Sequence, residues 1–262
     1  MPPRSAILTV MTGAALKAGR AIVRDFGEIG QLQVSRKGTA DFATAADRRS
    51  EKILHQELSK ARPTCGFVME ESGEIAGSDP AHRFVIDPID GTHNFIHAIP
   101  YFCISIAYEK QVRDGSFETQ AGVIYDPLRN ELFCAELYQG ATLDDKRLMV
   151  SGRTEPDTCL VATFLPSGAS ASYGDKIYSA VRKQSYSLRS CGAAALDLAY
   201  VAAGRFDAAC HIHYKHWDIA AGALLIREAG GRVFVRNEVE KPLFIGCNSL
   251  IHEKIVSMAL AA

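Results

Sequence analysis

The sequence predicts a mixed fold, α+β in its first half and α/β in its second. Three observations carry this. Two stretches with helical apolar spacing open the chain. A series of short strand-like runs separated by turn residues follows. Beyond about residue 155, strand-like and helical runs alternate, as they do where helices join the strands of a sheet. On this division residues 1–155 form an α+β half and residues 156–262 an α/β half of one compact unit.

In the first stretch Ile7, Val10, Met11, Ala14, Ala18 and Ile22 recur every three to four residues, with Ser5 placed to cap the helix. A second helix is expected from about Thr44 to Lys60. Ile53, Leu54 and Leu58 share one of its faces, and Pro63 lies just beyond its end. Phe67-Val68-Met69 and Phe84-Val85-Ile86 read as short buried strands. Further strands are expected at 103–110, 119–125 and 131–136, with turns at Arg113-Asp114-Gly115 and Asp126-Pro127 and an exposed loop at Asp144-Asp145-Lys146.

In the second half Leu160–Phe164 is a strand and 171–183 a helix. An Ala-rich helix at 192–203 is stopped by Gly204, and another at 218–229 by Gly230-Gly231. Val233-Phe234-Val235 and Leu243-Phe244-Ile245 are strands, and Ser249 is placed to cap a last helix.

A net charge of −1 gives no global pull toward nucleic acid or an anionic membrane, so a phosphorylated ligand has to be attracted locally. The seven cysteines are odd in number and include no C-x-x-C pair. Most lie in apolar runs such as Phe102-Cys103-Ile104 and Phe133-Cys134-Ala135, which points to buried thiols in a reducing compartment. Thr9, Thr12 and Lys17 interrupt the apolar N-terminal stretch. Neither a signal peptide nor a membrane span is expected, and the cytoplasm is the expected location.

The chemistry is carried by acids at the ends of these elements. Glu70-Glu71 ends one apolar strand and Asp87 another, in Asp87-Pro88-Ile89-Asp90-Gly91-Thr92. Asp218 opens a helix in Trp217-Asp218-Ile219. Acids so placed converge on a cleft while their backbones stay rigid. Mg²⁺ takes oxygen ligands, commonly one or two carboxylates plus water and substrate phosphate. Several carboxylates around one phosphate suit two-metal phosphoryl chemistry. Each acid alone also has a plainer reading. Asp90-Gly91 is a turn dipeptide, Asp218 a helix cap, Thr44-x-x-Asp47 a capping box, and Glu70-Glu71 a solvated strand end.

Taken together, the segments resemble the inositol monophosphatase family. Asp87-Pro88-Ile89-Asp90-Gly91-Thr92-His93-Asn94-Phe95 resembles the family signature. Asp41-Phe42-Ala43-Thr44-Ala45-Ala46-Asp47, Glu70-Glu71-Ser72 and Trp217-Asp218-Ile219-Ala220-Ala221-Gly222 resemble its other blocks, in the family's order, so that the likeness runs from about residue 37 to residue 231.

The resemblance implies a layered αβαβα sandwich, shared with fructose-1,6-bisphosphatase, and a homodimer. It implies a lithium-sensitive, Mg²⁺-dependent phosphomonoesterase acting on a small phosphorylated metabolite. Glu70, Asp87 and the Ile89 carbonyl would hold one Mg²⁺, and Asp87, Asp90 and Asp218 a second, with a third, weaker ion leaning on Glu70. The backbone N–H groups of Gly91 and Thr92 would face the phosphate. Asp47 would orient Thr92, and Thr92 with Glu70 would position the attacking water. Lys37, in Arg36-Lys37-Gly38, reads as a solvated loop charge.

The departures from the family pattern lie in the expected substrate pocket, at Ala193, Ala194 and His211. His211 stands where inositol-specific relatives carry an acid seven residues before the metal-binding Asp. Ala193 stands where they often carry Ser or Thr, and Phe164-Leu165-Pro166 replaces Gly-Phe-Pro. The resemblance makes inositol monophosphate the leading substrate, and these departures weaken that assignment and leave fructose 1,6-bisphosphate, histidinol phosphate and a 3′-phosphonucleotide as alternatives. Cys210, His211, His213 and His216 do not have the spacing of a zinc finger or ribbon. Alternation along a strand puts His211 and His213 on one face, with Cys210 on the other, which fits a pocket wall or ordinary surface. His93 and His97 read as exposed groups near the mouth. Some bacterial relatives also act through RNA polymerase or ribosomal RNA processing. A regulatory binding role of that kind finds no basic patch or Lys/Arg-rich tail in this sequence.

Overall fold

Helical spacing at the start of the chain builds the first layer. The computed structural model describes residues 4–32, 36–163, 171–238 and 242–261. Helix α1 (Ala6–Leu32) begins where Ser5 Oγ accepts the Leu8 N–H at 3.2 Å, as its predicted cap requires. It is the helix among the described residues that is long and apolar enough to cross a membrane. Its Leu8, Met11, Ala14, Ala18, Ile22 and Ile29 are instead buried in the protein core.

Helix α2 (Arg36–Ala61) starts about two turns before the expected Thr44. Thr44 therefore lies inside the helix, which removes the capping-box reading of Thr44 and Asp47. Ala40, Ala43 and Ala45 favour continuation past Gly38 and Thr39. Lys37 falls in this helical backbone rather than in a loop, and its side chain lies outside the described residues.

The next layer is an eight-stranded sheet. It contains β1 (Cys65–Met69), β2 (Gly73–Ile75), β3 (Asp79–Asp90), β4 (Cys103–Gln111), β5 (Phe117–Asp126), β6 (Glu131–Glu136), β7 (Gly140–Leu143) and β8 (Lys146–Arg147), in the order β2-β1-β3-β4-β5-β6-β7-β8. The β1–β3 pair is parallel and the other neighbours are antiparallel. A short helix, α3 (Thr92–Ile96), follows β3. The strands β2, β7 and β8 carry no apolar run of their own and were not expected. Asp144 and Asp145 form the tight β7–β8 turn, both at positive φ.

Both faces of this sheet's central strands, β3 to β6, are buried. On β3, Phe84 and Ile86 pack with α1 and α2, and Val85 between them packs into the opposite core. That opposite core holds α5 (Ala194–Ala202) and α6 (His216–Glu228), which lie between the two sheets. Where these helices meet, a Cβ on Gly222 would stand 2.5 Å from Leu198 Cβ, so only glycine permits their approach.

The second sheet contains β9 (Leu160–Thr163), β10 (Ser187–Arg189), β11 (Ala208–Ile212), β12 (Gly231–Arg236) and β13 (Leu243–Asn248), in the order β10-β9-β11-β13-β12. Helices α4 (Ala171–Gln184) and α7 (His252–Leu260) cover its outer face through Ile177, Val181 and Ile255. The architecture is the layered αβαβα sandwich that the sequence resemblance implies. The last helix is not capped by Ser249. Its N-cap is Ile251, and Asn248 Oδ1 holds the turn ahead of it by accepting the Leu250 and Ile251 N–H groups at 2.9 and 3.1 Å. Phe164, Leu165 and Pro166 lie outside the described residues. All seven cysteines are free, and all but the half-buried Cys191 are buried.

Candidate active site

Strict alternation would send Asp87 and Asp90, three residues apart, to opposite faces of β3. The ladder with β4 prevents this. Asp87 pairs with Ser105 and Asp90 with Cys103, so three steps on β3 answer two on β4. The extra residue is a bulge, which returns both carboxylates to one side. Pro88 lies inside it, where a missing N–H costs least. From α2, Ser50 Oγ donates to Pro88 O at 3.0 Å and holds the bulge from behind.

The chain then turns sharply. Gly91 has φ +96°, and a Cβ there would meet Tyr101 O at 3.0 Å. Thr92 Oγ1 donates to Ile89 O at 3.1 Å. Asn94 Nδ2 donates to Tyr101 O and Cys191 O, both at 2.7 Å, tying this turn to the segment that carries Ala193. Asp90 accepts the N–H groups of Ala194, Ala195 and Leu196 at 3.0, 2.7 and 3.3 Å, and thereby satisfies the free donors at the start of α5. Asp218 is the third residue of α6, and its Oδ2 accepts the Lys215 N–H at 2.7 Å.

Glu70 follows β1 directly. The turn that carries it is held by Glu51 on α2, whose Oε2 accepts the Glu71 N–H at 2.9 Å and whose Oε1 accepts from Ser72 Oγ. Asp47, Ser50 and Glu51 thus form one face of α2, at i, i+3 and i+4. Ser50 and Glu51 were missed by sequence reasoning. Their signal is that spacing, which continues the buried row of Leu54 and Leu58 toward the site.

Glu70, Asp87, Asp90 and Asp218 line one cavity of about 250 Å³, together with Ile89, Gly91, Thr92, Ala193, Ala194 and His211. Asp47 lies behind it, buried. No Lys or Arg is among the described residues of the lining. The acids are therefore protonated far more readily than in water. Burial, then Asp90, Glu70 and Asp218, push Asp87 well above its ordinary range. Burial and Asp218 raise Asp90 to about 7 against its three backbone hydrogen bonds. Burial raises Asp218 to about 6. Burial, then Glu70, Glu71 and Glu51, raise Asp47 to about 8. Glu70 is raised as well, chiefly by burial.

Oδ1 of Asp87 and Oδ1 of Asp47 are buried with no hydrogen-bond partner among the described residues. An oxygen-only set of crowded, uncompensated carboxylates is what a hard divalent cation neutralises. Among the described residues, no three His, Cys, Asp or Glu side chains are yet gathered as a group able to hold an ion.

The far wall is made of imidazoles. His213 leaves the β11 strand at φ +59°, so the expected alternation with His211 fails, yet both histidines line the cavity. His211 is fully buried, and burial lowers its pKa to about 4. Neither of its ring nitrogens has a hydrogen-bond partner among the described residues. Its Nε2 lies 3.7 Å from Asp197 Oδ2, and Asp197 Oδ1 accepts from Tyr101 Oη at 2.7 Å. His93 is exposed on the lining, and His97 is exposed. His216 turns instead to Glu109, at 2.7 Å.

The model of the inositol monophosphatase family matches residues 4–258. An inositol-1-monophosphatase from Mesorhizobium japonicum is 48% identical over 232 residues, which cover 88% of this chain and 85% of that protein. The Nus factor SuhB of Escherichia coli K12 is 41% identical over 230 residues, 87% of this chain and 84% of that one. The crystal structure of the extragenic suppressor protein suhB from Bartonella henselae matches with a TM-score of 0.86 at 44% identity, covering 98% of this chain and 100% of that chain.

Proposed function

The chain belongs to the inositol monophosphatase family and is a phosphoric monoester hydrolase of that type, and from this premise we propose that it uses Mg²⁺ to hydrolyse the monophosphate of an uncharged polyol, with inositol monophosphate leading. One observation carries the reading: five acids from four separate segments, Glu70, Asp87 with Asp90, Asp197 and Asp218, line one small cavity that has no Lys or Arg among its described lining residues. Metal held by these acids would neutralise a single phosphate there. A second phosphate, as in fructose 1,6-bisphosphate or a 3′-phosphonucleotide, would find no Lys or Arg among the described residues of the wall. Histidinol phosphate would bring its own ammonium against His211, which burial keeps neutral.

In this reading Glu70, Asp87 and the Ile89 carbonyl hold one ion, and Asp87, Asp90 and Asp218 a second, with Glu70 open to a third. Bound there, Mg²⁺ supplies Lewis-acid polarisation of the phosphoryl group and a water of lowered pKa. Thr92 and Glu70 orient the attacking water, with Asp47 behind them. The Gly91 and Thr92 N–H groups face the phosphate oxygens. Ala193 and Ala194 leave room for the alcohol portion. His211, neutral and unpartnered, is free to exchange hydrogen bonds with its hydroxyl groups.

The working unit is taken as a cytoplasmic, lithium-sensitive homodimer, to be checked by light scattering and lithium titration. The test of function is phosphate release from a panel of the four substrates, with and without Mg²⁺ and a chelator. Inositol monophosphate should turn over fastest, and only with metal. Faster release from the bisphosphate would overturn the substrate assignment. The likeness to proteins named Nus factor SuhB supplies a second reading, a regulatory role beside the transcription machinery. Absence of release from every monoester with Mg²⁺ present would favour it.

A further inference from the structure

Of the four acids read as metal ligands, Asp218 is the one that is neither on nor directly after a strand of the eight-stranded sheet. Its distance from Asp87 and Asp90 depends on what fixes the start of α6 over that sheet, and β4 does this. Cys103, Ser105 and Glu109 lie at alternate positions and share one face of the strand. Cys103 Sγ lies 3.6 Å from Asp90 Oδ2. Ser105 Oγ donates to Trp217 O at 3.3 Å. His216 Nε2 donates to Glu109 Oε1 at 2.7 Å. His216 and Trp217 are the two residues before Asp218.

Glu109 is only 1% exposed, and its other oxygen is also engaged. Arg83 Nε, on the cross-strand partner in β3, donates to Oε2 at 2.8 Å. The Arg83 guanidinium is itself held 3.7 Å from the centre of the Phe117 ring. The Glu109 carboxylate thus has one oxygen fixed within the sheet by Arg83 and the other hydrogen-bonded to the first residue of α6. A buried charge is a costly way to hold a helix, since an apolar contact serves as well. What a hydrogen-bonded charge adds is direction, because it fixes one atom at one place.

We propose that Glu109 is a positioning residue for the metal site: through His216 it fixes the first turn of α6, and with it the separation of Asp218 from Asp87 and Asp90. This rests on the reading of those acids as metal ligands. Outer groups of this kind typically change metal affinity by about 10–100-fold when removed.

The experiment is a Mg²⁺ titration of the metal-free full-length protein, read by calorimetry and by thermal unfolding. His216 is 46% exposed at its side chain, so His216→Ala is the variant least prone to disturb folding. It should raise the half-saturating Mg²⁺ concentration about tenfold. Glu109→Gln keeps an acceptor for His216 and should show a smaller rise. The double variant should be no weaker than the weaker single variant, because both act through one contact. A lower melting temperature of the metal-free variants with unchanged Mg²⁺ half-saturation would overturn the proposal and leave the pair a structural tie only. A wild-type protein that takes up no Mg²⁺ in either readout would instead remove the metal reading on which the proposal rests.

Discussion

Asp90 answers two demands with one carboxylate. It accepts three N–H groups at the start of α5 and faces the cavity with Asp87 and Asp218. The helix terminus favours its charge, while burial and Asp218 oppose it. Asp90→Asn keeps the shape and one acceptor oxygen but removes the charge. Turnover should fall at least about a hundredfold, the size of effect that electrostatic groups of an active site show, while the circular dichroism spectrum stays native. Normal phosphate release by this variant would refute the ligand assignment. Asp87, Asp90, Glu70 and Asp218 were legible in the sequence because each stands at the border of an apolar run. Glu109 was not legible. It ends a strand among Lys110 and Gln111, and its partner His216 is more than a hundred positions away. Local pattern carries no signal for such a contact.

At the scale of elements, long apolar runs were read well and short polar strands were missed. Strands β3, β4, β5 and β6 bury residues on both faces, so their hydrophobic runs are nearly continuous. Strands β2 and β8 are exposed throughout and exist because a neighbour supplies their hydrogen bonds. The bulge in β3 has a visible sequence cause in Pro88, but its consequence, two acids on one side, appears only in the ladder with β4. The close approach of α5 and α6 depends in the same way on a partner. Gly222 lies in an apolar helical run where alanine would suit helix propensity better. Its added Cβ would meet Leu198 Cβ at 2.5 Å and Leu198 Cδ1 at 2.6 Å. Gly222→Ala should therefore destabilise the fold by about 1–3 kcal/mol, the usual cost of overpacking a core. Because α6 carries Asp218, Mg²⁺ affinity should weaken as well. A melting temperature equal to or above that of the wild type would show that the helices are free to separate.

For the whole molecule, the acids make folding and proton uptake one process. Asp47 and Asp90 ordinarily titrate near 3.8, and in the folded protein they titrate near 8 and 7. Between these values the folded chain keeps protons that the unfolded chain releases. Stability contributed in this way is complete below about pH 4 and is lost as pH rises through 7 and 8. Asp218, raised to about 6, acts in the same direction over a lower range. His211 acts the other way. Its folded pKa is lowered from 6.5 to about 4, so its contribution is lost as pH falls below 6.5. The range from pH 6.5 to 8 therefore isolates the acids. Across it, the melting temperature of the metal-free protein should fall. Mg²⁺ competes with the same protons, so its stabilising effect should grow over that range and flatten the profile. Scanning fluorimetry at fixed ionic strength, with chelator or with saturating Mg²⁺, reads both. A metal-free profile that is flat from pH 6.5 to 8 would mean that the cavity acids are already ionised and compensated. The cluster would then need no cation, and the affinity of the protein for Mg²⁺ would lose its largest source.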